Sequence, residues 1–460
     1  MPDARPEPVT VAIVGAGERG FNAYGRWCLE HPEEARVVAI AEPEPARRRR
    51  MAAEHAIDKR HVFRGWRQLA AAGRQAEALI VATPDREHVG PALAALEAGY
   101  HILLEKPIAP TLDEVRTVGT TAARLAGSIT VAHVLRYTPF FSALRRILDS
   151  GWIGDLITIH HAENVGYWHF AHSFVRGTWR NERLASPMLL AKACHDLDLL
   201  RWLAGDRCTA VASFGGLHHF RPERAPAGST ARCTDGCPAA PDCPFDAVRF
   251  YVERLAGETG WPVSAITDDP SREGRLAALQ TGPYGRCVYR CDNDVADHQV
   301  VALEFANGVR ATLAVNGLTA DNTRTIKLVG SRGEVRGRLD TGEIEVRRFL
   351  PAAGGPHPSG GAWNRDAIGR AALPGDQREV ISVAPPPATL TDLDGLVARN
   401  GHGGGDDGLM RDFIARVRSL RQGDPGVVQE SRTALAVSLE SHLMAFAAET
   451  ARHTRTVVEL

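Results

Sequence analysis

The sequence predicts two domains, an α/β domain built on a doubly wound parallel sheet and an α+β domain with a large, mostly antiparallel sheet. Two observations predict this organisation. Short β-branched runs alternate with helical stretches from Val9 to about Val134, and beyond residue 135 the β patterns become longer and are separated by turn signals. We therefore place the first domain at residues 1–135 and the second at residues 136–460.

The first domain contains five strand candidates, which are VTVAIVG, ARVVAIAE, AEALIVATP, YHILLEKP and SITVAHV. Strands that alternate with helices pair in parallel, with helices on both faces of the sheet. In such a sheet, ligands bind outside the carboxyl ends of the strands. Asp85, Lys106 and His133 lie at or just beyond such ends.

The second domain contains hairpins, helices and two irregular segments. The turn residues at 306–308, Ala-Asn-Gly, favour an antiparallel hairpin. Helical patterns occur at about residues 187–204, 406–422 and 430–452. We expect a cysteine-rich insertion at about 216–295, and a Gly/Pro-rich excursion at about 351–405 that is either a long surface loop or partly disordered.

Composition limits the function classes. The chain has 460 residues and a formal net charge of −1, so it lacks the basic footprint of a nucleic-acid-binding protein. No run approaches the roughly 18 apolar residues of a membrane span, and the first residues lack the apolar core of a signal peptide. We therefore expect a cytoplasmic protein that binds neither nucleic acid nor membrane. Its eight cysteines are then expected to be thiols or metal ligands.

The turn after the first strand candidate has the spacing G-x-G-x-x-G at Gly15, Gly17 and Gly20. The first glycine allows a tight turn, the second lets the backbone approach a pyrophosphate, and the third lets the next helix pack on the sheet. The second strand candidate ends at Glu42, where a carboxylate binds ribose hydroxyls. The pattern predicts a Rossmann dinucleotide site. We expect NAD rather than NADP because Glu42 would repel a 2′-phosphate, although the arginines at 47–50 argue the other way.

A second signature spans residues 79–115, LIVATPDREHVGPALAALEAGYHILLEKPIAPTLDEV. Together with the glycine turn, it resembles the Gfo/Idh/MocA family of oxidoreductases. The resemblance implies a nicotinamide cofactor, a carbohydrate-like substrate, and a homodimer or homotetramer formed through the second sheet. The cofactor-binding candidates it implies are Gly15, Gly17, Glu18, Arg19, Gly20, Glu42, Thr83, Pro84, His88, Glu105 and Lys106.

The resemblance also implies two proton-transfer residues, Lys106 at a strand end and His195 on the first helix of the second domain. The family carries an Asp four residues before this histidine and another acidic residue after it. Asp198 fills the later position, but Ala191 stands at the earlier one, with Lys192 beside it. The usual carboxylate is therefore missing. We expect Lys192 to supply a second ammonium, which either acts on Lys106 as a like charge or binds an anionic substrate group.

The stretch at residues 160–181, HHAENVGYWHFAHSFVRGTWRN, is dense in histidine, tryptophan and arginine. We interpret it as a substrate wall, in which flat aromatic faces contact sugar C–H groups and polar side chains bind hydroxyls. The alternative is a folded surface loop with aromatic residues packed beneath it. The substrate-binding candidates are Arg136, Trp168, His172, Arg176, Trp179, Arg180, Asn181 and Asp196, with His298 and His402 as outside candidates.

Five cysteines cluster in the predicted insertion. Cys233, Cys237 and Cys243 lie within eleven residues beside Pro and Gly, and Cys287 precedes Cys291 by four positions. Zinc favours four tetrahedral thiolates, so we expect a structural zinc on the first four of these cysteines, with Cys291 in reserve. Free thiols that stabilise a loop are the alternative. An Fe–S cluster uses the same ligand type but fits the spacing no better.

Taken together, these patterns predict a nicotinamide-dependent enzyme that interconverts a secondary alcohol and a ketone on a sugar, cyclitol or sugar derivative. Two alternatives stay open. One is an NAD-dependent enzyme that cleaves glycosides by oxidation, elimination and reduction. The other is a non-catalytic nucleotide or sugar sensor on the same fold.

Overall fold

A computed structural model describes residues 7–349, 377–383, 403–423 and 431–460. The first sheet has six strands, β1 (Val9–Val14), β2 (Ala35–Ala41), β3 (Val62–Phe63), β4 (Ala78–Val81), β5 (His101–Leu104) and β6 (Ile129–Val131). Their order is β3-β2-β1-β4-β5-β6, and all neighbouring pairs are parallel. The strand order reverses between β1 and β4, which is where such a sheet opens a ligand crevice.

Helices cover both faces of this sheet. They are α1 (Arg26–Glu30), α2 (Pro45–Glu54), α3 (Trp66–Ala71), α4 (Val89–Glu97) and α5 (Leu112–Arg124). Alternate residues of β1 belong to two separate apolar clusters, Val11 and Ile13 to one, Ala12 and Val14 to the other. This alternation confirms the predicted doubly wound sheet, because a strand buried on both faces is apolar throughout.

The second sheet has nine strands, β7 (Leu156–Gly166), β8 (Cys208–Gly216), β9 (His298–Phe305), β10 (Arg310–Thr319), β11 (Thr323–Gly330), β12 (Gly333–Arg338), β13 (Glu343–Arg348), β14 (Gln377–Ser382) and β15 (Val458–Glu459). Their order is β14-β13-β12-β11-β7-β10-β9-β8-β15. Only the β7–β10 pair is parallel, so the predicted mostly antiparallel sheet is confirmed for the described residues. The predicted hairpin joins β9 to β10, with Gly308 at a φ of 89°.

The remaining helices are α6 (Pro139–Asp149), α7 (Tyr167–Phe170), α8 (Met188–Ala191), α9 (Cys194–Ala204), α10 (Arg272–Thr281), α11 (Gly405–Gln422) and α12 (Leu435–Thr454). Helix α11 returns to the first sheet, where its apolar side chains join the cluster around β1. Helix α12 packs against α5 of the first domain and against α9 and β8 of the second. Within the described ranges, no helix has both the length and the apolar character needed to cross a membrane.

Two short strands differ from the sequence prediction. Strand β3 has two residues at the edge of the first sheet, too few for a pattern of alternation to show. Strand β14 lies within the predicted excursion at 351–405 and pairs with β13, so this part is neither a loop nor disordered. The other residues of that excursion up to 402 lie outside the described part of the chain.

The predicted insertion lies between β8 and β9, which are adjacent strands of the sheet. Its small apolar cluster includes Tyr251, Leu255 and Leu279, and Trp168 packs against them. Arg275 is buried beside this cluster, and its guanidinium donates hydrogen bonds to the carbonyls of Tyr251 and Leu255, among others. A buried arginine that donates to several carbonyls satisfies backbone groups that the short helices of the insertion leave unpaired.

Candidate active site

The glycine turn has the geometry that a dinucleotide site needs. Gly15 has a φ of 93°, and a Cβ there would lie 2.5 Å from the carbonyl oxygen of Ala82. A Cβ on Gly20 would overlap the carbonyl oxygen of Gly15, whereas one on Gly17 would meet nothing within 4 Å. Gly15 and Gly20 therefore hold the turn closed against the sheet. Gly17 leaves open space in front of the helical segment Glu18–Gly25, as close approach of a phosphate requires.

The Glu42 carboxylate lies at the end of β2, next to this turn. It accepts hydrogen bonds from the backbone N–H groups of Ala16, at 2.6 Å, and Glu44, at 2.8 Å. Two of the four arginines at 47–50 are occupied by other contacts. Arg48 donates to the Glu42 carbonyl, and Arg50 pairs with Glu54 and lies over the Phe21 ring.

Arg19 and Glu105 form a buried network that joins three elements. The guanidinium of Arg19 pairs with Glu105 at 2.5 Å and with Asp406 of α11 at 2.6 Å, and Tyr24 donates to the same Glu105 oxygen. Burial acts to raise the pKa of Glu105, but the charge of Arg19, the hydrogen bonds from Tyr24 and Arg19, and the charge of Lys106 together lower it below its usual value. The network ties the glycine turn to the end of β5. Glu18, in contrast, is exposed and accepts from Asn22.

The Thr83–Pro84 turn is held by His88. Its buried ring lies between two carbonyl oxygens, with Nδ1 2.7 Å from that of Pro107 and Nε2 2.9 Å from that of Thr83. The turns that follow β4 and β5 are thereby fixed to each other.

Lys106 extends from the end of β5 to the second domain. Its Nζ donates a hydrogen bond of 2.9 Å to the carbonyl of Ala191, the last residue of α8. The Lys106–Pro107 peptide bond is cis. The next residue, Ile108, donates its N–H to Nε2 of the buried His442, whose Nδ1 lies 2.9 Å from the Ser438 carbonyl. Helix α12 therefore helps to position the turn that carries Lys106. No sequence pattern at His442 indicated this role.

His195 lies in the first turn of α9 and is buried. Its ring packs edge-on against His133, with ring centroids 5.5 Å apart. Lys106 donates to Ala191, one helical turn before His195, so both predicted proton-transfer residues lie where the two domains meet.

Arg136 and Asp198 form a buried ion pair beneath this histidine pair. Two guanidinium nitrogens of Arg136 bind the two carboxylate oxygens of Asp198, at 2.6 and 2.7 Å. This buried bidentate pair occupies most of the Arg136 guanidinium. The contact holds Arg136 to α9 and leaves little of its side chain for a substrate.

An ionic cluster surrounds Lys192. Its Nζ lies 3.3 Å from Glu163 on β7, and Arg324 on β11 binds that carboxylate at 2.6 Å and Asp196 at 2.7 Å. Glu163 and Arg324 are direct cross-strand neighbours. His161, two residues before Glu163, lies 2.8 Å from Asp196 through Nε2. The pKa of Lys192 is lowered, first by burial and then by Arg324 and Lys106, against the opposing effect of Glu163.

Sequence reasoning missed Glu163 and Arg324, but one signal points to this region. Of the 54 lysine and arginine residues only four are lysines, and two of those four, Lys106 and Lys192, lie here. In a chain that otherwise uses arginine, a retained lysine indicates a position where a compact ammonium is needed.

The predicted substrate wall divides into two parts. Trp168 and His172 are buried in the core of the insertion, where His172 Nδ1 lies 2.6 Å from the Tyr251 hydroxyl. Burial lowers the pKa of His172 to about 3. Trp179, by contrast, donates from Nε1 to Asp85 across the crevice, at 3.0 Å. Only the second part faces the end of the first sheet.

The other wall candidates bind the insertion or lie at the surface. Arg180 pairs with Asp292 at 2.8 Å, and Asn181 donates to the Asp292 carbonyl. Arg176 is buried and donates to the carbonyls of Arg286 and Phe245. His298 is largely exposed and 2.8 Å from Asp297, and His402 lies outside the described residues.

His169 was not among the predicted site residues, yet it lies beside the ionic cluster. Its Nδ1 is 3.0 Å from Asn322 Oδ1, an oxygen that also accepts the Gly166 N–H. Nδ1 is therefore the donor, which leaves the lone pair on Nε2. Burial, followed by the charge on Lys192, lowers the pKa of His169, so the ring is neutral.

The four predicted zinc ligands line one small cavity of about 20 Å³, which also contacts Arg176. Cys291 is not part of its lining. In the described part of the chain, no three cysteine sulfurs lie within 4.8 Å of one another. The cysteines are gathered but not in the closed arrangement of a four-thiolate site.

Two family models match the chain. The model described as an oxidoreductase family with an NAD-binding Rossmann fold matches residues 9–133, and the GFO/IDH/MocA C-terminal domain matches residues 141–336. The chain belongs to the Gfo/Idh/MocA oxidoreductase family. Membership confirms the predicted family, and it makes the glycine turn part of an NAD-binding domain of an oxidoreductase.

Individual relatives of this Gfo/Idh/MocA protein are distant. YteT of Bacillus subtilis, described as an oxidoreductase, is 22% identical over 75% of this chain and 74% of its own length. Inositol 2-dehydrogenase 1 of Saccharopolyspora erythraea is 30% identical over 44% of this chain, and the match spans 56% of that enzyme. A solved inositol dehydrogenase homologue of Azotobacter vinelandii, complexed with NADH and myo-inositol, has the same fold with a TM-score of 0.64. It is 17% identical, with 99% of this chain and 98% of that chain covered.

We expect the stability of this Gfo/Idh/MocA protein to fall in acid because of its buried histidines. Burial lowers the pKa of His172 and of His442 to about 3, well below the value of about 6.5 in an unfolded chain. Between these values the unfolded state binds more protons, so this stability is complete above about pH 6.5 and is lost as the pH falls toward 3. Urea unfolding at about pH 7 and about pH 4.5 should differ by about 2 kcal/mol or more.

The matched control for this pH effect is His453→Gln, because His453 is exposed. His453→Gln should keep the wild-type pH dependence, whereas His172→Gln should reduce it and leave the part that comes from His442. A free energy of unfolding that is constant over this pH range would contradict the assignment of neutral buried histidines.

The glycine turn gives a second prediction, with a matched pair of variants. Gly20→Ala places a Cβ against the Gly15 carbonyl, so we expect it to lower the free energy of unfolding by about 1–3 kcal/mol. Gly17→Ala places its Cβ in open space, so stability should change little while affinity for NAD falls. Thermal unfolding and calorimetric titration with NAD measure the two effects. Equal NAD affinity of Gly17→Ala and wild type would show that the cofactor does not approach this backbone.

Proposed function

We propose that this protein is an NAD-dependent dehydrogenase that interconverts a secondary alcohol and a ketone on a cyclitol, a sugar or a sugar derivative. The observation that carries the proposal is the hydrogen bond from Lys106, at the mouth of the NAD-binding domain, to the Ala191 carbonyl, four residues before His195. The names of the inositol dehydrogenases among its relatives support the substrate class.

The cofactor fits the residues present. Gly17 leaves room for the pyrophosphate, and the Glu42 carboxylate lies at the strand end that holds the adenosine ribose. NAD is favoured over NADP because Arg48 and Arg50 are engaged by other groups. When bound, the nicotinamide accepts a hydride from the carbinol carbon or returns one to the ketone.

The protein's own residues handle the proton. During oxidation the substrate hydroxyl loses its proton as the carbonyl forms, and Lys106, half-buried at the crevice, takes up that proton in its amine form; in the reverse reaction the ammonium returns the proton to the ketone oxygen. His195 lies on α9 on the opposite side of the crevice and packs against the buried His133. Lys106 and His195 together polarise the oxygen that gains charge, which is the role of a positioned acid–base pair.

Replacement of either residue tests this assignment. Lys106→Met and His195→Asn should each lower kcat by about 10² or more, the scale of a lost acid–base group, while the Kd for NAD stays within a few-fold of wild type. The matched control is Lys327→Met, since Lys327 pairs with Glu334 on the second sheet, away from the crevice. Near-wild-type turnover of either site variant on a substrate that yields NADH would refute its role.

We further propose that Cys233, Cys237, Cys243 and Cys287 hold one structural zinc. The four cysteines share a cavity of about 20 Å³, which has room for little more than one ion or water molecule. The Arg176 guanidinium lies 3.5 Å from the Cys233 sulfur. A nearby cation offsets the net negative charge of a four-thiolate zinc site. The small core of the insertion gives such a crosslink a structural purpose.

Metal analysis tests the zinc proposal. Protein purified without a nickel column should contain about one zinc per chain, and Cys237→Ser should lose the zinc and lower the Tm. Cys28→Ala is the matched control, because Cys28 is buried in the first domain, and it should keep the metal. Metal-free wild-type protein with eight titratable thiols would support the free-cysteine alternative.

The outer face of the second sheet supports the predicted homo-oligomer. Phe214 and Val300 are cross-strand partners on β8 and β9, and their side chains are 69% and 50% exposed. We propose that a second copy of the chain covers these two neighbouring side chains, because large apolar groups exposed side by side mark an interaction surface.

A further inference from the structure

The ionic cluster at the crevice is layered, with its cations outside and its carboxylates inside. The Lys192 and Arg324 side chains are 19% and 11% exposed, whereas those of Glu163 and Asp196 are 3% and 0% exposed. The two carboxylates therefore lie beneath the two cations. A molecule that enters the crevice meets the ammonium and guanidinium groups first.

Three cations lie near one another at this point of the crevice. The charges that act most strongly on Lys192 are those of Glu163, Arg324, Lys106 and Asp196. The ammonium of Lys192 therefore has two cationic neighbours, and both carboxylates near it are shared with Arg324. His169 is neutral, and His161 can donate from Nε2 to Asp196 in its neutral form. Asp85, another carboxylate of the crevice, is bound to Trp179.

Both cations retain donors for a ligand. An ammonium has three N–H donors, and Glu163 takes one of those of Lys192. Arg324 uses Nε and Nη2 for Asp196 and Glu163, and Nη1 takes no part in these contacts. The charge of Lys192 acts on the His169 ring, which therefore lies near this cluster. Nε2 of that ring carries a lone pair that can accept a hydrogen bond from a substrate hydroxyl.

We propose that Lys192 and Arg324 bind a carboxylate of the substrate, so that the protein acts on sugar acids rather than on neutral sugars or polyols. A bound carboxylate places a negative charge against both outer cations. It also gives the ammonium of Lys192 a second counter-ion, in addition to Glu163. The statement that the protein acts on sugar acids rests on the proposed dehydrogenase function. Binding of the acid at Lys192 and Arg324 does not depend on that function, so experiments can refute the two proposals separately.

Matched pairs of probes test the proposal on the protein loaded with NAD. D-Glucuronate and D-glucose differ by the carboxylate, as do D-gluconate and D-glucitol. Calorimetric titration should show that each acid binds at least about tenfold more tightly than its neutral partner, the scale of one charge-assisted contact. Lys192→Met should abolish the difference, and Lys327→Met should preserve it. Equal or tighter binding of the neutral members, or a preference that survives Lys192→Met, would overturn the proposal.

The scarcity of lysine allows a direct second readout. Selective carbon-13 labelling of lysine Cε gives signals from only four side chains, and the one missing from Lys192→Met identifies Lys192. Saturating D-glucuronate should shift this signal and raise the pKa it reports, since a bound anion favours the ammonium. An unchanged Lys192 signal at saturation would refute the contact.

NADH formation separates the two proposals. If the acids bind through Lys192 but no probe or inositol yields NADH, the dehydrogenase assignment fails and the carboxylate site stands. If neutral probes yield NADH while the acids neither bind nor react, the dehydrogenase assignment stands and the carboxylate site is wrong.

Discussion

A hydrogen bond from the Lys106 ammonium to the Ala191 carbonyl holds the two halves of the crevice together at its reacting end. It joins the end of β5 in the cofactor domain to the helix that leads into His195. Two buried contacts support it from opposite sides. His88 fixes the Pro107 carbonyl, and His442 accepts the Ile108 N–H. Because a proton-transfer group must be held within a fraction of an ångström, such support from neighbouring elements is what makes a half-buried lysine useful.

Ala191 stands at the position where the family resemblance implies an acidic residue, so no side-chain carboxylate is present there. A carboxylate at this position would lie beside the Lys106 ammonium and cancel its charge. Instead, the carboxylates nearest to Lys192 are Glu163 on β7 and Asp196 on α9, and Arg324 shares both of them. In this crevice the two carboxylates lie beneath the two cations. The crevice that results is suited to an anion, whereas a site with its carboxylate in front is suited to a neutral alcohol.

The sequence predicted the cofactor domain almost completely because local constraints determine it. The three glycines, the alternating strands and the Glu105-Lys106-Pro107 turn are each adjacent in the chain, so their spacing carries the geometry. Glu163 and Arg324 could not be found in this way. They are 161 positions apart in the printed sequence, and only the register of β7 and β11 brings them together. His442 is still more remote, 334 positions from the Ile108 N–H that it binds.

The substrate wall shows why composition alone assigns residues poorly. Histidine, tryptophan and arginine at 160–181 suggested one polar and aromatic surface, yet the stretch serves two neighbourhoods. Trp168, His172 and Arg176 face the insertion, while Trp179 reaches Asp85 at the crevice. His172 and Arg176 belong to the helical segment Ala171–Arg176, which precedes Trp179 and whose side chains are all buried. The position of Trp179 therefore depends on the contacts between Arg176 and the insertion. Arg176 also lies 3.5 Å from the Cys233 sulfur, so the cysteine cavity contributes to the same position.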